Sequence, residues 1–325
     1  MKLTLKSAMG LIGGAVLSVS ANAYDNIYIF GDSLSDTGNA SQFAAAQGVT
    51  GIPERFSNGP VAIDIVTGAY GLTATPSLYL FGQEFGNNYA VGGAIAIDAD
   101  GDESTPDTNL PSQVNAFLTY NAFQADSSAL YAVIIGGNDL FAAQAIRAGT
   151  ITADTPEERQ ATRQAARARV DQAVDSLEAQ MLKLISAGAT EFLLGNAPDI
   201  AQVPNSLDSE AALIASAETK GQTRRAERFL AVSSRLVDRY NRKVARMVNR
   251  LERTTGVHIT EWDLQSFLSN QIEDAEALGY DNTTDGCIED FANLPACEGF
   301  IFFDGVHPTT AVHTTAGLEV LQLLQ

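Results

Sequence analysis

Ile27-Tyr28-Ile29-Phe30-Gly31-Asp32-Ser33-Leu34-Ser35-Asp36-Thr37-Gly38-Asn39 joins four β-branched and aromatic residues to a run of turn formers. A short apolar run bounded by Gly and Asp reads as a buried strand, here over 27–30. Its end places Ser33 at the carboxyl edge, where ligands bind in open parallel sheets. Comparable runs recur at 88–91, 132–135, 191–194, 257–260 and 300–303. Helical stretches lie between them. Over 156–185, Val170, Val174, Leu177, Met181 and Leu184 fall three or four apart, with Pro156 near the start and Gly188 just past the end. A second long helix is expected over 226–253, with Phe229, Val232, Leu236, Tyr240 and Val244 on one face, Gly256 closing it and a strand with Trp262 soon after. Strands alternating with helices predict an α/β fold with a mostly parallel central sheet, because parallel strands need crossover connections. No Pro/Gly/Ser linker divides the chain, so 24–325 reads as a single domain.

The N-terminus carries Lys2 and Lys6, an apolar run over 11–19 and then Ala21-Asn22-Ala23. Basic, apolar and small-x-small segments in that order predict a cleaved signal peptide over 1–23, and the apolar run is short of the roughly 20 residues that span a bilayer. The mature chain is therefore expected to be secreted or periplasmic, with no integral membrane segment. No outer-membrane barrel pattern follows His307, so a self-anchoring form is not expected. Twenty Lys and Arg against 39 Asp and Glu leave a formal net charge of −19, which disfavours nucleic acid and anionic membranes as partners. Cys287 and Cys297 stand close together in a chain bound for an oxidising compartment, and a disulfide between them is expected. The tract Asp98-Ala99-Asp100-Gly101-Asp102-Glu103 departs from a calcium loop in its glycine position and in having Asn109 at the twelfth place, so it reads as a solvated acidic loop.

The run over 300–303 leads into Asp304-Gly305-Val306-His307-Pro308, which puts a carboxylate and an imidazole on one short loop. Serine is a weak nucleophile until a base takes its proton, and that base needs a partner to fix its tautomer and stabilise the imidazolium. Ser33, His307 and Asp304 can fill those three roles. His258, in an expected strand, and His313, on a helix expected to lead away from Ser33, read as structural.

Gly31-Asp32-Ser33-Leu34, Asn88-Tyr89-Ala90-Val91-Gly92-Gly93-Ala94, Ile135-Gly136-Gly137-Asn138-Asp139 and Asp304-x-x-His307 follow one another in this order. In these four blocks the chain resembles the GDSL family of serine esterases and lipases, also called SGNH hydrolases, over nearly all of 24–325. The stretch from Phe30 to Asn39 is similar to the bacterial lipase and phospholipase/acyltransferase branch. The resemblance implies a three-layer α/β/α, flavodoxin-like fold and a small-molecule or lipid ester substrate. It also implies an oxyanion hole made by the Ser33 N–H, the Asn138 amide and a glycine N–H from Gly92-Gly93, with alignment of the block from Asn88 favouring Gly93. Such donors suit chemistry whose tetrahedral intermediate carries a negative oxygen. The Gly-x-Ser-x-Gly elbow of α/β-hydrolases is absent, since Ser35 stands two places after Ser33. No phosphate-binding loop, His-Glu-x-x-His or dinucleotide fingerprint occurs, so no cofactor or metal is indicated.

Two classes of function stand against each other. One is ester hydrolysis through an acyl-enzyme on Ser33, with phospholipase/acyltransferase and carbohydrate acetylesterase chemistry as variants within the family. The other is a non-catalytic binding protein on the same fold, whose mark would be a missing site residue; all five positions are present.

Overall fold

The computed structural model describes residues 24–83, 85–98, 107–288 and 295–325. The signal peptide expected over 1–23 and the acidic tract from Ala99 to Glu103 lie outside them. Four parallel strands, β1 (Ile27–Gly31), β2 (Leu130–Ile134), β3 (Glu191–Gly195) and β4 (His258–Trp262), form the central sheet in the order β1-β2-β3-β4. Ile29 sits opposite Ala132, Ala132 opposite Leu193 and Leu193 opposite Thr260.

The helices α1 (Asn39–Ala46), α2 (Ala62–Ala69), α3 (Leu110–Tyr120), α4 (Gly137–Thr152), α5 (Pro156–Ala187) and α6 (Pro204–Ala215) come first in the chain. They are followed by α7 (Lys220–Ala226), α8 (Phe229–Thr255), α9 (Leu264–Glu273), α10 (Ala275–Leu278) and α11 (Thr310–Leu323).

Alternate residues of each strand face opposite layers, as a period of two requires. Ile27, Ile29, Leu130, Ala132, Ile134 and Leu193 pack against Ile63 and Val66 of α2, Phe267 and Leu268 of α9, and Val312 and Val320 of α11. Phe30, Tyr131, Val133, Phe192 and Leu194 face the other way, onto Val114 and Phe117 of α3, Val170 and Leu177 of α5, and Val237 and Tyr240 of α8. The sheet thus lies between two helical layers, the α/β/α arrangement expected.

Helix α5 starts where the sequence signals a start. The Thr155 hydroxyl accepts the Glu158 N–H at 3.1 Å and the Glu158 carboxylate accepts the Thr155 N–H at 3.0 Å, so two otherwise orphaned donors are satisfied reciprocally. Gly188, in the left-handed region, ends it.

Two expectations need correction. The run over 88–91 lies beside β1, with the Tyr89 N–H donating to Ile29 O at 2.7 Å and the Val91 N–H to Gly31 O at 3.1 Å, but it closes only single bridges instead of a strand. Its outer neighbour contains Pro76, which has no N–H to continue a ladder. The run over 300–303 does form a strand, β6 (Phe300–Phe302), yet it stays out of the central sheet and pairs in parallel with β5 (Asn282–Gly286). The sequence Asn282-Thr283-Thr284-Asp285-Gly286 has no apolar alternation to announce that partner. Among the described residues no helix is long and apolar enough to cross a membrane.

Candidate active site

Strand β1 reaches Ser33 through a glycine the packing demands. A Cβ on Gly31 would stand 2.2 Å from the Ile134 carbonyl oxygen of the adjacent strand. The buried Gln113 side chain of α3 grips the same residue, accepting the Gly31 N–H at 2.8 Å and donating to Gly31 O at 2.8 Å. The chain then turns sharply: the N–H groups of Ser35 and Asp36 both donate to Asp32 O at 3.1 Å, and the Leu34 N–H donates to Asp32 Oδ1 at 3.1 Å. Ser33 rides at the apex of this turn.

His307 Nε2 lies 2.7 Å from Ser33 Oγ, and His307 Nδ1 lies 2.7 Å from Asp304 Oδ2. Asp304 Oδ1 accepts the N–H groups of Val306 and His307 at 2.8 and 2.7 Å, so one carboxylate shapes the loop and orients the ring. Burial pushes the Asp304 carboxyl upward; the hydrogen bond and charge of His307, with the two backbone N–H groups, more than offset it and hold the carboxyl below its ordinary value. Phe56 tilts over the imidazole with ring centroids 5.1 Å apart. The loop is braced from α6, where the Asn205 N–H donates to Gly305 O at 2.8 Å and a Cβ on Gly305 would meet Asn205 Oδ1 at 1.9 Å. Gly305 is therefore required by close approach.

The expected oxyanion donors come from two further loops. Asn138 is the second residue of α4, which follows β2, and its Nδ2 donates to Ala94 O at 2.8 Å; an amide nitrogen carries a second hydrogen, which no hydrogen bond of the described residues engages. Asp36 distinguishes the two glycines. This fully buried carboxylate accepts the N–H groups of Gly38 at 2.8 Å, Asn39 at 2.8 Å, Ala40 at 3.0 Å and Gly92 at 2.8 Å. The Gly92 N–H is thereby occupied, while no hydrogen bond of the described residues engages the Gly93 N–H. Gly93 is exposed, with φ of 82°.

Beneath these groups sits a cluster of buried acids. Asp139 Oδ2 accepts the Ala96 N–H at 2.8 Å, and its Oδ1 stands 2.9 Å from Arg169 Nη1 in an ion pair not aligned as a hydrogen bond. Burial pushes the Asp32 carboxyl up to about 7, with the Leu34 N–H and His307 opposing and the Asp139 charge adding to the rise.

A cavity of about 70 Å³ opens beside Ser33, Asn138 and His307, walled by Leu34, Ile134, Phe141, Trp262, Leu264 and Phe267. His313 lines it too, which corrects the expectation that α11 carries this residue away from the nucleophile. Its Nδ1 accepts the Ala62 N–H at 3.3 Å, and burial, with the nearby His307 charge, pushes it down to about 3. It is a neutral wall of the cavity. His258 is exposed, as a surface residue paired with Glu191 at 2.9 Å.

Cys287 and Cys297 form a disulfide, with Cα atoms 5.5 Å apart. The N–H groups of Cys287 and Ile288 donate to Phe302 O at 3.0 Å and Phe303 O at 2.9 Å, so the bridged cysteine Cys287 and its neighbour lie directly on the strand that presents Asp304. Among the described residues no group of three His, Cys, Asp or Glu converges to hold a metal ion.

Five residues expected from sequence at one site, Ser33, Gly93, Asn138, Asp304 and His307, come from loops of one sheet edge and the β6 turn. Asp36, Gln113, Phe56 and Asn205 were not assigned roles from sequence. Only Gln113 carried a signal: it lies on the face of α3 defined by Leu110, Val114 and Phe117, where a polar residue must find a buried partner.

Residues 27–320 match the family model described as GDSL-like lipase/acylhydrolase. The chain is 29% identical to Lipase 1 of Photorhabdus luminescens over 64% of its own length, a match that spans 28% of that relative. It is 24% identical to the phosphatidylcholine-sterol acyltransferase of Aeromonas hydrophila, covering 93% of this chain and 92% of that one. An extracellular lipase from Streptomyces rimosus superposes with a TM-score of 0.38 at 17% identity, over 92% of this chain and 98% of that chain. The chain belongs to the GDSL-like lipase/acylhydrolase family of serine ester hydrolases.

Proposed function

We propose that residues 24–325 form a single-domain esterase or lipase, exported by cleavage of residues 1–23, that cleaves carboxylic esters through an acyl-enzyme on Ser33. The chain of contacts from Asp304 through His307 to Ser33, 2.7 Å at each step, is the observation that carries this proposal. His307 takes the Ser33 proton as Oγ attacks the ester carbonyl, and Asp304 holds the imidazole in the tautomer whose Nε2 is free to accept it. The Gly93 N–H, the Ser33 N–H and the Asn138 amide hold the oxyanion. His307 then gives its proton to the departing alcohol, and water, activated in the same way, releases the acid. The apolar walls of the adjoining cavity suit the acyl chain.

Hydrolysis of p-nitrophenyl esters across acyl chain lengths, with Ser33→Ala as control, tests the proposal. Turnover should be abolished in the variant; an unchanged rate would overturn it. Acyl transfer to an alcohol is a second outcome of the same acyl-enzyme, favoured by the near full-length likeness to an acyltransferase. Adding a sterol or glycerol acceptor and measuring new ester against free acid separates the two.

A further inference from the structure

Basic side chains are scarce in this acidic chain, and many of them gather in one place. A cavity of about 290 Å³ between α4, α5, α7 and α8 is lined by Arg147, Arg159, Arg163, Arg225, Arg228 and Arg235, with no carboxylate in its walls. An adjoining cavity of about 580 Å³ shares Arg147, Arg163 and Arg235 and is likewise free of carboxylates. The contacts of the six arginines in the first cavity do not neutralise them, whereas in the second Arg239 is paired with Asp171 at 2.6 Å and Arg242 with Asp238 at 4.0 Å. Arg225 donates to the Ile151 carbonyl through Nε at 3.1 Å and Nη2 at 2.6 Å, Arg159 to the carbonyls of Ala153 and Asp154 at 2.9 Å, and Arg147 to the Thr150 hydroxyl. Arg163, Arg228 and Arg235 form no ion pair among the described residues. Burial and the charges of Arg163, Arg167 and Arg235 pull the half-buried Arg147 guanidinium below its ordinary value, so the guanidinium groups of the cleft repel one another.

Planar guanidinium forks in this density match the paired oxygens of phosphoryl groups, and arginine outnumbers lysine fifteen to five in the whole chain. A net charge of −19 works against an extended polyanion, which would run onto the acidic surface, and favours a ligand small enough to stay within the cleft. None of these arginines lines the cavity at Ser33. Arg147 follows Asn138 by nine residues on α4, about 14 Å along the helix at about 1.5 Å per residue.

We propose that this cleft is a second site, separate from the ester site, which binds a compact anion carrying several phosphoryl charges, either free or as a lipid head group. The full mature chain would be titrated calorimetrically with sodium tripolyphosphate at low salt, and sedimented with phosphatidylcholine vesicles that contain or lack phosphatidic acid. Binding to tripolyphosphate alone identifies a soluble ligand, and binding to the phosphatidic acid vesicles identifies a head group. In either case Arg163→Gln/Arg235→Gln should weaken binding by about tenfold or more, since each lost bond is one to a charged group, and should leave p-nitrophenyl ester hydrolysis unchanged. Both side chains are exposed, and the single Arg163→Gln variant, with a smaller loss, serves if the double variant does not fold. Failure of both probes to bind, or equal binding by folded variants, overturns the proposal.

Discussion

His307 Nε2 and Ser33 Oγ are 2.7 Å apart although 274 residues separate them in the chain. The contact depends on Asp304, whose two oxygens serve different partners: Oδ1 the loop backbone and Oδ2 the ring.

Asp304→Asn should keep the loop and lose the chemistry. An Asn oxygen can still accept the two backbone N–H groups, but its amide can donate to Nδ1 and leave the proton on Nε2, the wrong atom for a base. We expect kcat to fall by about 10³ to 10⁴ with little change in melting temperature. A drop of less than tenfold would mean that Asp304 is not the orienting carboxylate.

In the proposed mechanism Asn138→Ala removes a donor needed in the transition state more than in the ground state. The expected effect is a loss of about 10² to 10³ in kcat with KM nearly unchanged. Losing the bond to Ala94 O should cost about 1 kcal/mol of stability. A variant in which only KM rises would assign Asn138 to substrate binding instead.

Asp32 makes stability fall with rising pH. Its folded pKa, about 7, lies above the ordinary value, so its contribution is fully present below about pH 4 and is lost as pH rises through 7. Above that point the fold must hold a charged carboxylate that is nearly fully buried. Asp32→Asn should therefore melt higher than the parent at pH 8, and the gap should shrink at pH 5. Equal gaps at the two pH values would show that Asp32 titrates normally.

The disulfide should support the site from outside it. Cys287→Ser/Cys297→Ser opens a short loop, worth about 2–3 kcal/mol in chain entropy, and loosens the backbone that pairs with Phe302 and Phe303. Melting temperature and kcat should both fall, and a reductant should reproduce the change in the parent protein. Identical melting and turnover with and without reductant would show that the disulfide does not support the site.

How much of this was legible depended on how local each signal is. Strands β1 and β3 and helices α5 and α8 lie within a few residues of their expected bounds, because apolar period, a proline at the start and a terminal glycine all act over a turn or two. The partner of β6 was not legible, since a polar strand carries no alternation. Asp36 stood in plain view in the stretch from Phe30 to Asn39, but its work of joining the start of α1 to Gly92 spans 56 residues of chain.

By itself the sequence determined the strand–helix alternation, the serine at a strand's carboxyl edge, the Asp-x-x-His loop and the cysteine pair, all of which are written in neighbouring residues. Tertiary structure alone decided which glycine N–H is left unengaged, that His313 walls the cavity, that Phe56 covers the imidazole, and that arginines from four helices share one cleft. Those facts follow from which distant segments the sheet and its helical layers bring within a few ångströms, and no local pattern carries that distance.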